Sequence, residues 1–163
     1  MHDGLISTFL EREHAAILSA LAELECRVVE RMMPGAKQSL GRLTRLLDHH
    51  MILEEKILFD ALAAMPKGTE ARIGNLHHEH RHIHELTVQA AGFLESGSPE
   101  LAAAVVCDLR EYIQLHDERE LREIEALMGE LTDAERVLVH TRLSSLESPG
   151  PDAVRPDIYP GGH

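Results

Sequence analysis

The sequence predicts an all-α chain: an antiparallel up-down four-helix bundle with a short C-terminal fifth helix and an irregular tail. Three observations carry this. Hydrophobic residues make up 44% of the chain but aromatics only 3%, with no Trp, so the core must be Leu, Ile, Val, Ala and Met, which suits packed helices better than sheets. Apolar residues recur at helical spacing through four long stretches, and the breaks between them are short and rich in Pro and Gly. At 163 residues the chain can bury one substantial core and needs no second domain.

Asp3 can cap a first helix that runs to about Met33, with Ser7, Leu10, His14, Leu18, Leu21 and Val28 on its inner stripe and Met33-Pro34-Gly35 ending it. A second, from about Ala36 to Met65, carries Leu43, Leu46, Leu47, His50, Leu53, Glu54, Ile57 and Ala61 inward, and Pro66-Lys67-Gly68 turns the chain. The third runs from about Thr69 to Glu95 and stops at Ser96-Gly97-Ser98, where Pro99 is placed to begin the next helix. The fourth, to about Met128, puts Ala102, Val105, Leu109, Tyr112, His116, Glu120 and Leu127 inward. Thr132-Asp133-Ala134-Glu135 reads as a capping box opening a fifth helix to about Leu146. The organisation expected is a bundle over residues 1–131, an additional helix over 132–147, and a tail over 148–163. In that tail Pro149, Pro151, Pro156 and Pro160 among glycines leave no core of its own.

A formal charge of −12 argues against nucleic acid or an anionic membrane as a partner. Cys26 and Cys107 fall on outward-facing helical positions without ligand-like spacing, which points weakly to a reducing compartment. Asp3, Glu11 and Glu13 interrupt any apolar leader, and no stretch approaches transmembrane length, so the cytoplasm is the expected location.

The stretch from Leu76 to Leu86 concentrates five of the twelve histidines. If Ile73, Leu76, Thr87, Ala91 and Leu94 mark one helical stripe, His80 and His84 lie within it, His78 and His82 point away, and His77 sits at the margin. Two imidazoles at i and i+4 facing a core present two nitrogens to one point, a metal-ligand arrangement. The segment His78-Glu79-His80-Arg81-His82 also matches the H-E-x-x-H pattern of zinc proteases, but its two histidines face away from the stripe and nothing here reads as the strand such chemistry wants.

Short turns between antiparallel helices fix which residues share a level. Around a turn centred on residue 67, Glu54 and His80 each lie 13 residues away, and His50 and His84 each 17. Counted from the other turns, His14 and His116 fall at the same height. The predicted constellation is therefore His14, His50, Glu54, His80, His84, His116 and Glu120. Five imidazoles and two carboxylates are too many for one tetrahedral zinc and suit two metals bridged by Glu54 and Glu120, with iron, manganese or zinc favoured over copper or calcium. With a single-atom bridge as well, one of twelve coordination positions stays open to a small ligand. Tyr112, one turn before His116, is expected inward with its hydroxyl near a metal-bound ligand. Ferritin-like di-iron bundles need Glu-x-x-His on two helices, and among the inward histidines only His14, in Glu11-Arg12-Glu13-His14, has that spacing.

These residues carry a resemblance. With His14, the run His50-Met51-Ile52-Leu53-Glu54-Glu55-Lys56-Ile57-Leu58-Phe59, the pair His80 and His84, and the run His116-Asp117-Glu118-Arg119-Glu120, the chain resembles hemerythrin-like proteins of the HHE cation-binding family over about residues 5 to 125. The resemblance implies two iron ions, one held by His80, His84 and His116 and the other by His14 and His50, with Glu54 and Glu120 bridging. It implies a small diatomic ligand, oxygen or nitric oxide, bound for sensing, scavenging or storage; the alternative is turnover of peroxide or nitric oxide, or delivery of iron to damaged centres. The sequence departs from the oxygen carriers in having His-x-x-x-Glu where they have Asp five residues after the His, and in lacking Trp. The pattern is more like that of proteins that repair iron centres.

Overall fold

The computed structural model describes residues 4–59 and 69–147. Asp3, the end of the second predicted helix with its Pro66-Lys67-Gly68 turn, and the tail lie outside the described residues. Among the described residues there are five α-helices, α1 Gly4–Val29, α2 Met33–Leu53, α3 Thr69–Glu95, α4 Pro99–Glu130 and α5 Asp133–Glu147, and a π-helical segment Glu54–Phe59 continues α2. No strand occurs among the described residues. α1 packs against α2 and α4, and α3 packs against the same two, so the four long helices close into a bundle while α5 lies against the π-helical segment and α1.

Two turns, after α1 and after α3, obey one rule with different residues. At the end of α1, Arg31 takes the left-handed conformation at φ 57°, and the N–H groups of Met32 and Arg31 bond back to the carbonyls of Arg27 and Val28. This is a Schellman closure, usually completed by Gly. Gly97 at φ 69° does the same for α3, with Ser98 and Gly97 bonding back to Phe93 and Leu94. The first helix thus ends before Met33-Pro34-Gly35, and those residues open α2 instead. Pro34 falls in the first helical turn, where its missing N–H has no partner to lose. Pro99 begins α4 as expected.

The capping box is formed as predicted: the Thr132 N–H donates to Glu135 at 2.8 Å, and the Glu135 N–H to the Thr132 hydroxyl at 3.4 Å. Thr132→Ala is expected to lower the melting temperature by about 2–4 °C, read by circular dichroism. The bonds to Thr132 hold the Glu135 carboxyl below its ordinary range. Its contribution is therefore present above that ordinary value and fades as the pH falls.

The core is divided. One apolar cluster joins Ile17, Leu21, Leu24, Leu43, Leu47, Ile83, Leu86 and Leu109 with their neighbours; another joins Ile6, Leu10, Phe59, Ile73, Leu76, Ile124 and Leu127. In chain order His14 falls between Leu10 and Ile17, His50 between Leu47 and Phe59, His80 between Leu76 and Ile83, and His116 with Glu120 between Ile113 and Ile124. A buried polar layer is therefore sandwiched between two hydrophobic slabs, which exclude water from it above and below.

Candidate metal centre

Six of the predicted residues meet in this layer, each at most 5% exposed. They form two groups, His14 with His50 and His80 with His116, and both groups include Glu54 and Glu120; within each group one ligand atom per residue lies within 4.8 Å of all the others. The rings of His14 and His50 sit edge to face with centroids 4.9 Å apart, and those of His80 and His116 repeat that spacing. Glu54 turns one oxygen to each pair, Oε1 at 2.8 Å from His50 Nε2 and Oε2 at 3.2 Å from His80 Nε2. Glu120 Oε2 lies 3.1 Å from His14 Nε2 and 3.8 Å from His116 Nε2.

These contacts are close, yet few are hydrogen bonds. The Nε2 atoms of His50, His80 and His116, both oxygens of Glu54 and Oε1 of Glu120 are buried with no hydrogen-bonding partner. Buried polar atoms are ordinarily satisfied. A cluster of lone pairs left unsatisfied around two adjacent points is what a pair of cations satisfies, and nitrogen and carboxylate oxygen are the donors that first-row divalent metals take. The residues present fit such ions.

The hemerythrin HHE cation-binding domain model matches residues 5–131, most of the chain. The chain belongs to the hemerythrin HHE family. No curated protein and no solved structure matches it.

The structure of this hemerythrin-like domain does not bring His84 to the centre. His84 is exposed, as is His78, while His77 and His82 are half-buried. On α3 the buried positions are Ile73, Leu76, Glu79, His80, Ile83, Leu86, Thr87, Ala90 and Leu94, a stripe whose axis lies roughly 90° round the helix from His84. The expectation that His84 faces the core is corrected on this ground: Ala91, counted within the stripe, sits at its edge, and Ile83, Leu86 and Ala90 belong to the buried face. Tyr112 is also not brought to the donor atoms. It is half-buried, with its ring 4.5 Å from that of His82. Burial and the nearby Glu79 carboxylate push its hydroxyl pKa up, against the pull of Arg119. Cys26 is exposed, Cys107 is partly buried, and both are free thiols away from the centre.

Two carboxylates that hold the candidate ligand imidazoles escaped the sequence reading. Glu79 accepts from His116 Nδ1 at 2.7 Å and is itself held by Arg119 at 3.0 Å. Glu55 accepts from His80 Nδ1 at 2.8 Å and lies 3.1 Å from His77 Nδ1. Each fixes the imidazole so that Nε2 faces the centre and makes that nitrogen more basic. The signal for Glu79 was present, since it lies on the same face as Leu76, Ile83 and Leu86. The signal for Glu55 was not, because its reach across to α3 depends on the π-helical turn that begins at Glu54. Glu79→Gln or Glu55→Gln is expected to weaken metal binding about 10–100-fold, measured by competition with a chelator of known affinity.

The layer is electrostatically uneven. Burial opposes a charged imidazole at His50, but the Glu54 carboxylate, with Glu120 and Asp117 behind it, outweighs burial and raises His50 to about 9. Burial likewise pushes Glu54 up, but His50 and His80 on either side of it hold it well below the usual carboxylate range. Glu120, buried beside that anion, is pushed up. In the metal-free protein the raised His50 stabilises the fold fully below about 6.5, and this is lost as the pH rises through about 9. The depressed Glu54 contributes above about 4.5 and is lost as the pH falls through its folded value. The metal-free chain is therefore expected to be most stable between about 4.5 and 6.5, with the optimum moving upward when metal replaces the imidazole proton. Thermal melts across pH, with and without metal, check this; a metal-free optimum above pH 8 would contradict it.

Proposed function

We propose that this domain is a non-haem di-iron protein that binds a small diatomic ligand, oxygen or nitric oxide, for sensing, scavenging or storage. The observation that carries the reading is the sharing of Glu54 and Glu120 by two buried His pairs, which is the donor geometry of a bridged metal pair. The ligand set proposed is His14, His50 and His80, His116 with Glu54 and Glu120 between. Each metal would then draw on two imidazole nitrogens and two carboxylate oxygens, and a six-coordinate ion would have room for further small ligands. With His84 outside, the open capacity is larger than one position in twelve. The apolar slabs on either side give a larger substrate few polar handles. Iron is favoured because bridging carboxylates with imidazoles in a bundle core suit a redox-active pair.

A second reading is an iron-donor or an enzyme acting in peroxide or nitric-oxide detoxification. The His116-x-x-x-Glu120 spacing favours it, since Glu120 reaches both His pairs where the oxygen-carrier pattern places an Asp one residue later. Azide added to the oxidised, iron-loaded protein is expected to alter its visible charge-transfer bands, and nitric oxide to bind the reduced form. Stopped-flow mixing with peroxide or nitric oxide then separates binding from turnover. An iron-loaded sample whose spectrum answers to neither ligand would remove the basis for small-ligand function.

A further inference from the structure

The two halves of the centre are not alike. Behind His80 and His116 stand Glu55 and Glu79, each accepting a hydrogen bond from the Nδ1–H. On the other side His50 Nδ1 is buried without a partner. Rings held by carboxylates bind metal more tightly than rings that are not. The His14–His50 half is also the one that meets the surface. A groove of about 690 Å³ runs between α1 and α4, and His14 and Asp117 lie in its lining. Glu11, Glu111 and Glu118 line it as well, and among the described residues that line it none is Lys or Arg.

Asp117 distinguishes this groove from an ordinary acidic surface. It is 8% exposed, its Oδ1 lies 3.7 Å from His14 Nε2, and its Oδ2 is buried with no hydrogen-bonding partner. A carboxylate with a free oxygen, one imidazole away from the cluster and lining an anionic groove, is placed to accept a cation from solvent and pass it to His14.

We propose that the α1–α4 groove is the entry path for divalent cations and that Asp117 is the transfer ligand, so that metal in the His14–His50 position exchanges with solvent while metal in the His80–His116 position stays. This rests on the dinuclear reading above and adds to it which position is labile and by what route. The acidic lining concentrates cations at the mouth, Asp117 supplies oxygen donors before His14 and His50 are engaged, and the unbacked His50 ring lets the ion go more readily than its counterparts do.

The test follows metal directly, without any activity. Protein loaded with Fe(II) is mixed with an excess of a chromophoric chelator, and release is followed by absorbance. The expected result is two equal phases, the faster by about tenfold or more. Asp117→Asn should slow the fast phase of release, and the corresponding phase of Fe(II) uptake, about tenfold while leaving the final stoichiometry at two per chain. Glu111→Lys, an exposed change that leaves the layer untouched, should slow uptake and flatten its dependence on ionic strength. A single phase for both ions, or Asp117→Asn and Glu111→Lys proteins that load at the unmodified rate, would overturn the entry path. A chain that takes up fewer than two ions at saturation would overturn the dinuclear reading itself.

Discussion

Stripping the metal from the protein should lower its melting temperature by at least about 15 °C. Without cations, four imidazoles and two carboxylates stay locked between two apolar slabs with most of their inward atoms unsatisfied. Each such group costs free energy when its partner is missing, and a charge held there without compensation costs more. An ion present at a thousand times its dissociation constant adds about 4 kcal/mol to the folded state. Two such ions, at about 2–4 °C per kcal/mol for a chain of this size, give a shift of this order. Calorimetry before and after dialysis against chelator, with metal content verified, is the measurement. An unchanged transition after verified loss would mean that the layer is not a metal site.

The second large effect separates metal binding from folding. Glu54 and Glu120 serve both His pairs, so replacing either should empty both positions. Glu120→Leu should abolish metal uptake and, in the absence of metal, raise the melting temperature. It removes a buried carboxyl whose ionisation is already disfavoured by burial and by Glu54, and well-packed apolar replacements of buried charges are often neutral or stabilising. His14→Ala is expected to lose one ion of the two. His84→Ala and His78→Ala, on exposed positions, should retain both. Metal analysis of the purified variants beside their melting curves reads both properties. Loss of metal on His84→Ala with retention on His80→Ala would reverse the assignment of the α3 face.

The bundle was legible in the sequence because its signals are strong and redundant: apolar residues at helical spacing, breaks at Pro and Gly, and a capping box at Thr132. The level of the centre was legible too. Residue counting put Glu54 and His80 at one height, and they do meet, with Oε2 and Nε2 3.2 Å apart. The same counting also paired His50 with His84. Height along a helix says nothing about azimuth, and a stripe drawn through Ala91 without Ile83, Leu86 and Ala90 was enough to turn His84 inward. Arg31 closing α1 in a left-handed conformation that Gly usually takes could not be read, since Pro34-Gly35 gave the louder local signal. The π-helical turn at Glu54 has no simple pattern in sequence, and with it went the role of Glu55. Asp117 lay in plain view between His116 and Glu120. Its place beside His14 in the lining of the groove appears only when α1 is packed against α4.

Anomalous diffraction at the iron edge, from crystals of the iron-loaded protein, tests most directly whether two metal ions bind side by side in one layer of the bundle between Glu54 and Glu120. The expected result is two peaks roughly 3.5–4 Å apart, one against His14 and His50, the other against His80 and His116, with His84 remote from both. A single peak, or a peak with His84 in its coordination, would contradict it.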